Sequence, residues 1–186
     1  MIKNFQIEPL RESSFVRPAL VTYEQDGVKK SWEVVRAHDS VAVLLYDRCR
    51  DSFVLVKQFR PAVYMHDKKG YTYELCAGIV DKEYSLEKIA KEEVLEECGY
   101  DLPQERLEKI TSFYTSVGFA GSKQTLFFAE VCDEERVSEG GGIEMESIEV
   151  VYLPLSQAKS FMFDESKVKT PGLLFAFMWF FSRHTF

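Results

Sequence analysis

Three glutamates, Glu93, Glu96 and Glu97, sit near the end of a segment that otherwise reads as an amphipathic helix. Stepping about 100° per residue from Leu86 places Leu86, Ile89, Ala90 and Val94 on one apolar arc. Glu93 and Glu97 fall inside that arc, while Glu87, Lys88, Lys91 and Glu92 mark the solvated face. Two carboxylates one turn apart on a core-facing stripe repel each other and lose hydration. They also stand in the C-terminal half of the helix, where the macrodipole disfavours anions. No Lys or Arg shares the arc. A Glu-rich run is more commonly a solvated face, but here that face is accounted for elsewhere. A hard divalent cation compensates such a stripe best, because it prefers carboxylate oxygen.

The length of 186 residues suits one domain with a sizeable core. Hydrophobic and charged contents of 46% and 28% are those of a soluble globular chain. A net charge of −7 argues against nucleic-acid or anionic-membrane partners, which want a basic surface. The four cysteines, Cys49, Cys76, Cys98 and Cys132, show no paired short spacing. They are expected to be reduced, mostly buried thiols in the cytoplasm, with no zinc site. The N-terminus has no apolar signal region. The run Leu173–Phe181 is nine apolar residues, about half of the roughly 20 needed to span a bilayer. With Pro171 in its first turn it reads as a helix buried in the core or in a subunit interface.

Strands are expected at Val16–Tyr23 and Lys29–Arg36 around an Asp26-Gly27 hairpin turn. Further strands are expected at Val41–Tyr46, Phe53–Phe59, Tyr71–Cys76, Ile110–Thr115, Thr125–Val131 and Ile148–Leu153. His66–Gly70 reads as a polar loop and Ser138–Gly142 as the most flexible segment. Short helices are expected at Leu155–Phe161 and Pro171–Ser182. Mixed strands with few helices, lacking strict βαβ alternation, predict an α+β fold.

The 23 residues Gly78–Tyr100 resemble the Nudix box, Gly-x5-Glu-x7-Arg-Glu-apolar-x-Glu-Glu-x-Gly-apolar. Gly78, Glu93, Val94, Glu96, Glu97, Gly99 and Tyr100 fall at matching places. Tyr84 and Glu92 depart, standing where the family has Glu and Arg. Losing both opposite charges together leaves no partner unpaired. Val54–Tyr64, Glu74–Gly78, Thr115–Gln124 and Ile143–Leu155 also look like the ADP-ribose/UDP-sugar diphosphatase branch, and within it the UDP-glucose diphosphatases of animals. The resemblance implies an α/β/α sandwich with a mixed sheet. Residues 1–37 would be an N-terminal β extension for dimerisation and substrate binding, and 38–186 the Nudix domain.

It also implies Mg²⁺, with Mn²⁺ as substitute, held by Glu93, Glu96, Glu97, the Ala77 carbonyl and Glu146. Glu144 or Glu146 would be the catalytic base beside Glu97, on a loop hinged at Gly140–Gly142. These loop acids otherwise read as exposed. Arg60 looks like the arginine that holds a phosphate; its guanidinium suits bidentate contact. Ser116, Val117, Gly118 and Ser122 match the branch's substrate loop. Trp32 lies where related enzymes contact the base, or else packs at a dimer interface, and His38 is near enough to join it. The implied activity is hydrolysis of a nucleotide-sugar pyrophosphate bond, UDP-glucose giving UMP and glucose 1-phosphate. ADP-ribose hydrolysis and a non-catalytic nucleotide-sugar-binding module are the rival readings.

Overall fold

The structure is a computed structural model and describes residues 2–13, 15–143 and 146–183. It divides into two compact units, Met1–His38 with Tyr114–Ser122 and Asp39–Phe113 with Lys123–Phe186. In the first, β1 (Arg17–Gln25) pairs antiparallel with β2 (Val28–Arg36). Asp26 (φ 55) and Gly27 (φ 77) are both left-handed, the turn whose twist matches the two strands. Every residue of β1 is exposed, and Val28 and Trp32 of β2 stay in solvent as well. The Ser116 carbonyl accepts from the N–H groups of Phe119, Ala120 and Gly121, closing a tight loop.

The second unit is built on β3 (Ser40–Asp47), β4 (Ser52–Phe59), β5 (Tyr71–Glu74), β6 (Cys76–Ile79), β7 (Glu108–Thr115), β8 (Ser122–Val131) and β9 (Ile148–Pro154). The sheet order is β5-β4-β3-β8-β7, with β6 also on β3 and β9 on β4. The β3–β8 pair is parallel and the pairs of β3 with β4 and β6, and of β4 with β5 and β9, are antiparallel. Side chains alternate between two cores. Val41, Val43 and Leu45 join Val54, Val56 and Phe127 beneath α2 (Leu86–Cys98). Ala42, Leu44, Phe53 and Leu55 join Leu126 beneath α3 (Leu155–Phe163) and α4 (Pro171–Arg183). Burial on both faces makes β3, β4 and β8 continuous apolar runs rather than alternating ones. The architecture is α+β with a mixed sheet between helical layers. No helix among the described residues is long and apolar enough to cross a membrane.

Three expectations need correction. A helix, α1 (Pro61–Asp67), takes the start of the presumed His66–Gly70 loop. It buries no residue, so it has no apolar stripe to reveal it. The strand expected at Tyr71–Cys76 breaks at Leu75, which is buried where the chain leaves β4 for β3. Cys49 and Cys132 form a disulfide with Cα atoms 5.4 Å apart, while only Cys76 and Cys98 are free and buried. The parallel register sets Asp47 opposite Val131, so the two strand ends deliver both cysteines to one place. Arg50 ties the same two turns by reaching Asp47 and Asp133. Helix α4 packs into the core as expected, but by one face. Leu173, Ala176, Phe177 and Phe180 are buried, and Phe175 and Met178 are exposed.

Candidate active site

Helix α2 begins at Ser85, whose side chain accepts the Lys88 N–H, and ends at Gly99 in the left-handed conformation. Its apolar side places Glu93 and Glu97 against β6. A Cβ on Gly78 would collide with the Glu93 carboxylate, so glycine is required there by close approach, not by backbone angle. Glu97 is 4% exposed and its Oε2 accepts the Ala77 N–H at 2.9 Å. Burial pushes the Glu97 carboxyl up to about 8, against the Ala77 and Cys76 hydrogen bonds and with repulsion from Glu93 and Glu146. Burial likewise takes Glu93 to about 7, helped by Glu96 and Glu146 and partly offset by Lys82. Among the described residues neither has an ion pair.

Among the described residues no three His, Cys, Asp or Glu side chains converge closely enough to enclose an ion. The chemistry of the donors nevertheless fits a hard divalent cation: a buried and a half-buried carboxylate that repel each other flank a backbone segment whose carbonyls are further hard oxygens. A cation brought among them would remove the charge cost that burial imposes.

The glycine run is not a slack hinge. Gly140, Gly141 and Gly142 all have positive φ, and a Cβ on Gly140 would strike the Glu97 carbonyl. Gly141 N–H donates to the Glu97 carbonyl and Gly142 N–H to that of Glu96, at 2.9 and 3.0 Å. These bonds satisfy the last carbonyls of α2 and lead to Glu146, whose Oε2 accepts the Ile143 N–H. Glu144 lies outside the described residues. Glu96 is half-buried on α2 beside Glu97.

Arg60, at the start of α1, is already engaged. Its Nε and Nη2 donate to the two oxygens of Glu74, each at 2.8 Å, and Thr72 Oγ1 donates to Glu74 Oε1. Glu74 holds the guanidinium charged despite desolvation, and Glu97 and Glu146 add to that. In the first unit, Trp32 Nε1 donates to the Gly118 carbonyl at 2.7 Å, which fixes the indole while leaving the residue 56% exposed. Val117 is exposed at the loop tip, Ser116 is left-handed (φ 49), and His38 is exposed beyond β2. The Ser122 carbonyl accepts from Thr115 Oγ1.

Two features escaped the sequence reading. The Glu74–Thr72 clamp on Arg60 was signalled by two polar residues, Thr72 and Glu74, alternating within an apolar strand. The departure at Glu92 is answered by Lys82, 3.0 Å away, and Tyr84 carries the Lys88 ammonium over its ring.

Residues 36–170 match the Nudix domain, and the chain belongs to the Nudix hydrolase family. Hydrolases of this family generally use divalent metal ions. The chain is 43% identical to the uridine diphosphate glucose pyrophosphatase of Bos taurus, over 91% of this chain and 90% of that protein. The identity with the Mus musculus protein of that name is 40%, over 92% and 90%. A GDP-mannose pyrophosphatase of Cronobacter sakazakii is 39% identical over 74% of each chain.

Proposed function

We propose that this chain hydrolyses the pyrophosphate bond of nucleoside diphosphate sugars in the presence of Mg²⁺ or Mn²⁺, and that it prefers UDP-glucose, releasing UMP and glucose 1-phosphate. The likeness to the Bos taurus enzyme across nine-tenths of both chains, with all three box glutamates in place, carries this reading. Glu93 and Glu97, with Glu96, Glu146 and the Ala77 carbonyl, hold the ions. A divalent ion held there would supply charge neutralisation at the diphosphate oxygens and a more acidic attacking water. Glu144 or Glu146 takes the water's proton; Glu146, where it is the base and not an ion ligand, does so at Oε1, its Oε2 being occupied by the Ile143 N–H. Arg60 donates through Nη1 to a phosphate oxygen. Trp32 and His38 take the base, and Ser116, Val117, Gly118 and Ser122 the ribose and phosphate.

Residues 1–37 serve dimerisation and substrate binding, residues 38–186 form the Nudix domain, and the protein acts as a cytoplasmic homodimer. The bare faces of the β1–β2 ribbon support this, since a two-stranded ribbon alone is marginal in water. GDP-mannose is the second reading, favoured by the Cronobacter sakazakii relative; an indole stacks on either base. The test is turnover of UDP-glucose, GDP-mannose and ADP-ribose at equal Mg²⁺, with products identified. UDP-glucose is expected to give the highest kcat/KM, and turnover is expected to vanish in EDTA. A preference for either competitor overturns the assignment, and no cleavage of any of them overturns the activity.

A further inference from the structure

Glu74 has no part in the chemistry described so far, yet it is 8% exposed and uses both carboxylate oxygens on one partner. The Arg60 side chain it holds is 46% exposed. An ion pair of this kind is a poor source of stability, because desolvating a carboxylate offsets most of the attraction to a half-solvated cation. It is a good source of direction. The fork–fork contact spends Nε and one proton of Nη2, and Thr72 Oγ1 fixes the carboxylate from behind. The Arg60 backbone is pinned as well, by its N–H on the Gly70 carbonyl at 2.7 Å. Among the described residues, both Nη1 protons and the second Nη2 proton are left without a partner, and they form the outward edge of the guanidinium.

The surroundings explain why that edge needs guarding. The charges of Glu97 and Glu146 act on the Arg60 guanidinium, more weakly than that of Glu74. On a stem without that clamp, the attraction of those acids would act on a guanidinium free to reorient. We infer that Glu74, seated by Thr72, is a positioning residue that holds Arg60 off the site acids and presents its Nη1 edge to a diphosphate. The inference rests on the proposed nucleotide-sugar substrate. A ligand with two linked phosphates matches because Nη1 presents two N–H donors in one plane.

The experiment is a double-mutant cycle on KM for UDP-glucose. Calorimetric binding of UDP in Mg²⁺ gives a readout independent of turnover, and every variant is melted. Glu74→Gln is expected to raise KM about tenfold and to weaken UDP to the same degree, with kcat changed less than about twofold. Arg60→Ala is expected to raise KM by more, and Glu74→Gln added to it to change KM less than about twofold. Thr72→Val keeps the charge and should raise KM about threefold, which tests the clamp even if Glu74→Gln fails to fold. Additive effects of the two substitutions, or an unchanged KM in Glu74→Gln, overturn the inference while UDP-glucose cleavage stands. Wild-type protein that binds UDP in the expected pattern but cleaves no nucleotide sugar overturns the hydrolase reading and leaves the clamp. Wild-type protein that binds no UDP overturns the clamp.

Discussion

Glu97 pays for its position in stability. Its carboxyl is raised to about 8 in the fold, against roughly 4.3 in an unfolded chain. The folded state therefore binds the proton more tightly. In metal-free protein, the contribution of this group to stability is fully present below the unfolded value and is lost as pH rises from there towards 8. Glu93, at about 7, adds to the same trend. Glu97→Gln in EDTA should flatten the fall and be more stable than wild type at pH 8, by on the order of a few kcal/mol. Melting curves at pH 5 and 8 check this; equal slopes for both proteins would contradict it. With divalent ions present the same variant should lose several kcal/mol of charge stabilisation, at least about 100-fold in rate. Gly78→Ala would drive the Glu93 carboxylate from its seat. It should weaken ion binding about 10- to 100-fold, as loss of a ligand's support does, read by calorimetry with Mn²⁺.

At the scale of the element, α2 is held from both ends by groups of different legibility. The apolar arc and its two glutamates were readable because helical periodicity puts them on one face, and the structure seats both on β6. The lacing of Gly141 and Gly142 onto its last carbonyls was not readable. Glycine in sequence signals conformational freedom, and only the packed structure shows that freedom spent on close approach to Glu97. Arg60 and Glu74 lie on neighbouring elements 14 residues apart, so no local pattern joins them. Lys82 and Glu92 replace the box's missing charge pair, but both are partly exposed. Lys82→Ala should accordingly lower Tm only slightly, since an exposed pair of this kind is screened by solvent.

Over the whole molecule, the strands and the C-terminal helix followed from hydrophobic runs, whereas the cysteine pairing depended on a parallel register between strands far apart in sequence. A bridge between residues 83 apart removes loop entropy from the unfolded chain, on the order of 4 kcal/mol. Dithiothreitol, or Cys132→Ser, should lower Tm by roughly 10 °C for a chain of this size. Equal melting with and without reductant would contradict a formed bridge.

The covalent ring closed by Cys49 and Cys132 contains all three box glutamates and the exposed tip at Val117 and Phe119. A protease that nicks that tip once therefore frees no fragment. The cut protein keeps its full mass on a gel run without thiol, and parts into two pieces only when thiol is added.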